Sequence, residues 1–476
     1  MNGDPALPRR DARVLVHGLG RFGGGREAIR YLLRRGCHVR VADRSDSDEL
    51  QAVRRSFGKI RGDQSAIDWR LGSEDPALLD GVDLVVTSPA IPDHAPLRQA
   101  ALARGIPCTQ ECELFLAAYP GRVVGITGTN GKSSTAMLLH RALRRGGIDA
   151  LLGGNIGHSL LTDEADWRRE QIAVLELSSF QLERLAPHRR LAGAVFTRIG
   201  SDHLDRHGDL ATYRAAKARL AAAASDFVVS AADDPVANAF SSDAERRGYF
   251  GRDLPAPGGA GEHHGMLLVR PDEAPARPLA HRDALRLLGD FQVENVLAAS
   301  LAAAWLGADA ADIGFAVATA PPLPFRLQLL ATVGGVRVYD NGVSTEVEST
   351  RHALRTLARG GRRVHWLGGG KSKDGDHGKV ARAIAEHAAS AHVFGAAAEP
   401  FAAASTIPDT TAHTDLAAAL ASALRAARPG DALLFSPAYA SFDQYPNFRA
   451  RALAFHALLR AHRQGTANSA PADYSM

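Results

Sequence analysis

Short apolar runs, each leading into a turn and then into helically spaced apolar positions, set the rhythm of this chain. Arg13-Val-Leu-Val-His-Gly18, Cys37-His-Val-Arg-Val-Ala-Asp43 and Asp83-Leu-Val-Val-Thr-Ser-Pro89 read as strands of a first section, with a helical pattern running to Arg35. A second section opens at Gly121. It has strands near residues 123–126, 172–177, 193–197 and 226–230 and helical spacing over 292–306. Residues 251–282 are rich in Pro, Gly and His and lack a period, which predicts irregular connections and short strands. Pro321-Pro322-Leu323-Pro324 marks a boundary, after which strands at 336–339, 364–367, 391–394 and 432–436 alternate with helical patterns. Repeated strand–helix alternation predicts parallel, helix-covered sheets in all three sections. The expected organisation is α/β in three domains. These are a Rossmann-like domain at 1–120, a central P-loop ATPase-type domain with a parallel or mixed sheet at 121–325, and a second Rossmann-like domain at 326–463. Residues 464–476 read as a disordered tail.

Composition narrows the class. Of 476 residues, 45% are hydrophobic and 6% aromatic, and the net charge of +4 is spread over arginine pairs rather than a basic run. That excludes a nucleic-acid surface and leaves mild attraction for small anions. No apolar run approaches the roughly 20 residues of a membrane span, and no signal-peptide core is visible. Cys108 and Cys112 lack zinc-site spacing, and with Cys37 they read as thiols of a reducing compartment, so a cytoplasmic location is expected.

Val123-Val-Gly-Ile-Thr-Gly128-Thr129-Asn130-Gly131-Lys132-Ser133-Ser134 carries the most chemistry. A strand breaks into a glycine turn and enters a helix, an arrangement that points backbone N–H groups and a helix N-terminus at an anion. Lys132 supplies a cation for outer phosphates and Ser133 a hydroxyl for Mg²⁺. Ile126 replaces the first glycine of the strict phosphate-loop pattern, but strand, turn, Gly-Lys-Ser and helix stand in the required order. A nucleoside triphosphate is the expected ligand.

Gly18-Leu19-Gly20-Arg21-Phe22-Gly23 fits the dinucleotide fingerprint, with Asp43 about twenty residues on. The same turn serves any diphosphate, and nothing downstream resembles hydride-transfer machinery, so NAD is not expected. Glu176 closes a strand, where a parallel sheet presents ligands, and can hold Mg²⁺ or its waters. Asp202-His203-Leu-Asp205-Arg206-His207 follows another strand. His203 reads as functional and His207 as a satisfied imidazole. Tyr213-Arg-Ala-Ala-Lys217 is plain helix, in which a lysine is solvated by default.

Gly128-Thr-Asn-Gly-Lys-Ser-Ser134, Gly153-Gly-Asn155-Ile-Gly157, Glu176-Leu-Ser-Ser-Phe-Gln181, Asp202-His-Leu-Asp-Arg206 and Tyr213-Arg-Ala-Ala-Lys217 together resemble the Mur ligases, the ATP-dependent amino-acid-adding enzymes of bacterial cell-wall synthesis. Ser436-Pro-Ala-Tyr-Ala-Ser441-Phe442-Asp-Gln-Tyr-Pro-Asn-Phe448-Arg449 is similar to the branch that adds glutamate. The resemblance runs from Gly18 to Arg449 in family order. It implies that ATP phosphorylates the carboxylate of UDP-N-acetylmuramoyl-alanine. The amine of glutamate, expected as the D-enantiomer, then attacks the acyl phosphate, giving amide, ADP and phosphate in a monomeric enzyme.

The resemblance also implies residue roles. Lys132 holds the transferred phosphoryl group. Ser133 and Glu176 face one Mg²⁺, and His203 with a carbamylated Lys217 face a second. Residues 128–134, Asn295, Arg326 and Asn341 match ATP contacts. Gly18, Gly20, Asp43, Arg44, Ser88, Asn155, Ser178 and Gln181 match the UDP-substrate site. His203, Thr345, Lys373, Ser441, Phe442 and Phe448 match the glutamate pocket, Lys373 being preferred over Lys371 in Gly369-Gly370-Lys371-Ser372-Lys373. Three departures stand out. Phe291-Gln292 replaces the usual His-Asn, Asp340-Asn341 reverses the usual order, and Gly342-Val343 replaces Ser and Lys or Ile. The alternatives are a folylpolyglutamate-type ligase, which lacks the first domain, and a non-catalytic nucleotide-sugar-binding relative.

Overall fold

The computed structural model describes residues 4–19, 23–58, 67–373 and 375–468, and the side chains of 204–205 and 465–468 lie outside that description. The chain forms two compact units, Met1–Leu285 with Val293–Ala320, and Arg286–Gln292 with Pro321–Met476.

The first unit holds two sheets. Strands β1 (Arg13–His17), β2 (His38–Asp43), β3 (Ile67–Leu71), β4 (Leu84–Thr87) and β5 (Cys108–Thr109) pair in the order β3-β2-β1-β4-β5, all parallel. The second sheet adds β6 (Arg122–Thr127), β7 (Ala150–Gly154), β8 (Ile172–Glu176), β9 (Leu191–Phe196), β10 (Ala224–Ala231), β11 (Arg246–Phe250), β12 (Gly259–His263), β13 (Met266–Arg270) and β14 (Arg277–His281), ordered β14-β13-β12-β11-β10-β9-β6-β8-β7. Every residue of β8 and β9 is buried, as expected of parallel strands covered on both faces. One hydrophobic cluster joins the two sheets, running from Val14, Ile29 and Leu32 through Phe115 and Tyr119 to Leu175 and Phe196.

The second unit contains β15 (Gln328–Val333), β16 (Val336–Asp340), β17 (Val364–Gly369), β18 (Ser390–Phe394), β19 (Thr410–His413) and β20 (Ala432–Phe435), ordered β15-β16-β20-β17-β18-β19. Its core packs Trp366, Phe401 and Leu434 on one side and Phe394, Phe435 and Phe455 on the other.

Uniformly parallel sheets do not hold. β12, β13 and β14 form an antiparallel meander on the edge of the central sheet, and β15 pairs antiparallel with β16. Glycine masks the first of these in sequence. A Cβ on Gly261 would lie 1.9 Å from the Asp253 carbonyl oxygen, so close backbone approach removes the side chain that would have marked a strand. At the other end, the helix Phe448–Asn468 continues beyond Gln464, where a tail was expected, and residues 469–476 lie outside the described residues.

Candidate active site

The phosphate loop follows β6 and enters the helix Lys132–Arg145. Gly128 (φ 153°) and Gly131 (φ 88°) adopt backbone conformations that side chains disfavour. A Cβ on Gly128 would lie 1.7 Å from Thr197 Oγ1, and one on Gly131 would lie 2.2 Å from Asn295 Oδ1. The loop is therefore pressed against the end of β9 and against the helix carrying Asn295. Thr135 Oγ1 donates to Asn295 Oδ1 at 3.3 Å, and Thr197 Oγ1 donates to the Asn130 carbonyl. Ser133 and Ser134 are buried at the helix start.

Two lysines converge on one carbonyl. Lys132 Nζ donates to the carbonyls of Gly128 at 3.0 Å and Thr129 at 2.8 Å. Lys217 Nζ donates to the same Gly128 carbonyl at 2.8 Å and to Thr127 Oγ1 at 3.2 Å. Lys217 is not the solvated helix lysine its local sequence suggests, being only 1% exposed. The cause lies in Gly125, where a Cβ would meet Leu220 at 2.5 Å. Its absence lets the helix Leu210–Ala223 lie close on β6. Burial, followed by the charge of Lys132, pushes the Lys217 amine well below its ordinary value, while Asp202 and Glu176 pull the other way.

Glu176 ends β8 and is 2% exposed. Its Oε1 accepts from Asn155 Nδ2 at 3.0 Å, and its Oε2 is buried with no hydrogen-bond partner. An orphaned carboxylate oxygen beside a phosphate loop is what a hard cation or one of its waters would complete, so the donor set fits Mg²⁺. Among the described residues, however, no three His, Cys, Asp or Glu side chains cluster as a metal site. His203 has a φ of 53°, and its half-exposed ring lies 3.3 Å from Asp202 Oδ2 and 4.9 Å from the Phe180 ring centre. His207 is buried on Ser179 Oγ at 2.9 Å, and burial lowers its pKa, so it is the satisfied imidazole expected.

The ends of β1, β2 and β4 gather the first-section residues. Gly18 turns with φ 80°, leaving room for Ile91 and Ser88, which a Cβ would approach to 3.1 and 3.2 Å. Asp43 accepts from the backbone of Leu19 at 3.1 Å and of Ser45 at 3.0 Å, tying the turn after β1 to the end of β2, and Arg44 beside it is exposed. Gly20 lies outside the described residues. Ser178 caps a short helix and exchanges hydrogen bonds with Gln181. Sequence reasoning passed over Arg184 and gave no role to Arg206, the last residue of the Asp202-His-Leu-Asp-Arg206 motif; both guanidinium groups donate to the Ile91 carbonyl and brace the loop that carries Ser88. It also gave no role to Tyr213, which opens the Tyr213-Arg-Ala-Ala-Lys217 motif and whose hydroxyl lies 2.9 Å from Thr129 Oγ1. No sequence pattern shows what these side chains bond, because their partners lie far along the chain.

In the second unit, the predicted amino-acid residues follow the carboxyl ends of β16, β17 and β20. Thr345 is half-buried, Ser441 is buried, Phe448 opens the last helix, and Phe442 is 61% exposed. Lys373 pairs with Glu346, both half-exposed. Arg326 is half-buried near the start of this unit. Asn341 is turned inward. Its amide donates to Ser436 Oγ at 3.0 Å and its Oδ1 accepts from Leu327 N at 3.3 Å. The neighbouring Asp340 is fully buried on His456 Nε2 at 2.6 Å.

Three family models match the chain: "Mur ligase MurD-like, N-terminal domain" over 12–110, "Mur ligase middle domain" over 126–303 and "Mur ligase, glutamate ligase domain" over 325–439. A UDP-N-acetylmuramoylalanine–D-glutamate ligase of Acidobacterium capsulatum is 34% identical, the match covering 96% of this chain and 97% of that one. The ligase of the same name from Solibacter usitatus is 34% identical over 93% and 96%. Among solved structures, a UDP-N-acetylmuramate-alanine ligase of Thermotoga maritima shares the fold with a TM-score of 0.62 at 17% identity, covering 94% of this chain and 99% of that one. A pseudomurein peptide ligase of Methanothermus fervidus does so with a TM-score of 0.60 at 18% identity, covering 94% and 100%.

Proposed function

We propose a function from one premise: the chain belongs to the Mur ligase family. It is an ATP-dependent ligase of peptidoglycan synthesis that joins glutamate to UDP-N-acetylmuramoyl-alanine. The relatives' names specify D-glutamate. The carrying observation is the pair of lysines sharing the Gly128 carbonyl beside the free oxygen of Glu176. Burial and the neighbouring Lys132 charge both work against a second ammonium here, and an arriving anion such as a phosphate offsets that cost.

The chain's own part is positioning and charge neutralisation. Backbone N–H groups of residues 128–134 cradle the phosphates, and Lys132 stays with the phosphoryl group as it moves to the muramoyl carboxylate. Glutamate's amine displaces that phosphate, forming the amide. Mg²⁺, when bound, offsets phosphate charge. Ser133 and Glu176 would hold one ion, and His203 with Lys217 a second. Burial favours the neutral form of the Lys217 amine, and that form can add CO₂ and release a proton, becoming a carbamate whose oxygens suit a hard cation. Gly18, Gly20, Asp43, Arg44, Ser88, Asn155, Ser178 and Gln181 are assigned to the UDP-substrate. Asn295, Arg326 and Asn341 are assigned to ATP, the Asn341 side chain being bonded inward. Thr345, Lys373, Ser441, Phe442 and Phe448 take glutamate. Domain limits of 1–120, 121–325 and 326–463, a monomeric state and a cytoplasmic location complete the reading. No helix among the described residues is long and apolar enough to cross a membrane.

Phosphate release with ATP, Mg²⁺, UDP-N-acetylmuramoyl-alanine and each glutamate enantiomer separately tests it. Release that needs all four components with one enantiomer is expected. Equal release without the muramoyl substrate, or none with either enantiomer, overturns the reading.

A further inference from the structure

The first turn of the helix Phe448–Asn468 buries a guanidinium without a bonded counter-charge. Arg451 is 0% exposed. Its Nη1 donates to the Gly369 carbonyl at 3.0 Å, at the end of β17. Its Nε and Nη2 are buried with no hydrogen-bond partner. The carboxylate of Asp443 acts on it electrostatically, but Asp443 Oδ2 is occupied by Ala396 N at 3.0 Å, and Asp443 Oδ1 is itself buried and unpartnered. Burial lowers the guanidinium to about 10, which still leaves it charged at neutral pH. The helix N-terminus, capped by the neutral side chain of Asn447 at 2.8 Å, adds positive potential to the same place. A buried cation with two unpaired donors is costly, and folds retain one where an anion arrives to complete it.

Arg451 lies beneath two segments that hold each other. Lys371 N donates to the Ala440 carbonyl at 2.8 Å, and Ala440 N donates to that of Lys371 at 3.1 Å. Between them a Cβ on Gly370 would lie 2.2 Å from the Ala440 oxygen and 2.8 Å from Arg451 Nη1. These segments lead into Lys373 and Ser441, which the glutamate-ligase reading assigns to the amino acid.

The geometry points to Arg451 as a positioning residue for the amino-acid substrate: its buried charge fixes residues 369–371 from below and biases the pocket toward an amino acid with a second carboxylate. This role rests on the glutamate-ligase reading. Steady-state kinetics of Arg451→Met, Arg451→Lys and Asp443→Asn test it, with melting curves beside them. Arg451→Met should raise the glutamate KM about tenfold, the scale of one charge acting over roughly 12 Å at an effective dielectric near 20. The KM values for ATP and the muramoyl substrate should change less than about twofold, and the preference for glutamate over glutamine should shrink. Arg451→Lys keeps the charge and should recover most of the glutamate KM. Asp443→Asn removes the opposing charge but leaves an oxygen for Ala396 N, so it should lower the glutamate KM. If Arg451→Met does not fold, the other two variants decide. An unchanged glutamate KM in folded Arg451→Met, a uniform loss that Arg451→Lys does not repair, or a higher glutamate KM in Asp443→Asn overturns the role. Wild-type protein that releases no phosphate in response to glutamate would sink the ligase reading instead.

Discussion

The loops after β6 and β17 each combine glycines with lysines, yet they are built in opposite ways. After β6, Lys132 and the buried Lys217 are bonded to loop carbonyls, and the orphaned Glu176 oxygen stands close by in charge. After β17, Lys373 reaches outward to a half-exposed Glu346, and the buried cation, Arg451, lies behind the loop. The first loop is pre-formed for a polyanion, because its lysines are already held in place on the loop. The second presents an exposed charge whose contribution is screened by water. Chemistry that moves a phosphoryl group should therefore fail steeply when the first loop is altered, whereas changes at the second should act mainly on amino-acid affinity.

Lys132→Ala gives the largest break. Turnover in the phosphate-release assay should fall on the order of 10²–10³-fold, as for other lost transition-state charge donors. The melting temperature should change little, since Lys217 still donates to the Gly128 carbonyl when Lys132 is removed. A variant within threefold of wild type would remove the contrast between the two loops.

Lys217→Ala follows, with an expected loss of about 10²-fold, the upper range for groups that support a metal site. A small carboxylate such as acetate should restore part of the rate by supplying the missing oxygens. A solvated lysine would instead tolerate alanine within about 0.5 kcal/mol. Loss without acetate rescue would favour a purely structural ammonium bonded to Gly128.

The two units also differ in how they bury titratable groups. Beneath its sheet ends the second unit holds a buried hydrogen-bonded network: His392 Nε2 lies 2.9 Å from Ser390 Oγ, and Ser390 Oγ lies 2.8 Å from His365 Nδ1. Burial, with the charge of His413 next, pushes His392 down to about 4. The unfolded chain therefore binds a proton below about 6.5 that the folded one refuses. This contribution is complete above pH 6.5 and is lost as pH falls toward 4, amounting to about 2 kcal/mol at pH 5. Thermal unfolding between pH 7 and 5 should show the loss, and His392→Asn should flatten it. Parallel pH dependences for the two proteins would remove His392 from the account.

What could be read from sequence divides along the same line. The phosphate loop was legible because strand, turn, Lys132 and helix are contiguous. The importance of Lys217 came only through resemblance, since its own helix carries no sign that Gly125 admits it to the interior. The short strands expected in 251–282 are present as β12 to β14, but their antiparallel order was not legible, and in β12 the glycines Gly259 and Gly261 stand where backbones touch, which erases the alternation that marks a strand. Arg451 drew no attention in an arginine-rich chain, and only its burial distinguishes it from its exposed neighbour Arg449.

The smallest effect concerns the second loop itself. Lys373 and Glu346 are 49% and 46% exposed, so their pairing is worth about 1 kcal/mol or less. Glu346→Gln should leave the melting temperature almost unchanged. It should also lower the glutamate KM slightly, because Glu346 competes with the substrate's carboxylate for the same ammonium. Lys373→Ala should raise that KM by roughly fivefold to tenfold, the equivalent of about 1 kcal/mol, and leave the KM for ATP alone. Lys371 provides the control. Its backbone is bonded in both directions to Ala440, so Lys371→Ala preserves the bridge and removes only an exposed side chain. If Lys371→Ala raises the glutamate KM and Lys373→Ala does not, the carboxylate contact belongs two residues earlier. The pocket would then lie directly over Arg451 and Gly370 rather than beside them.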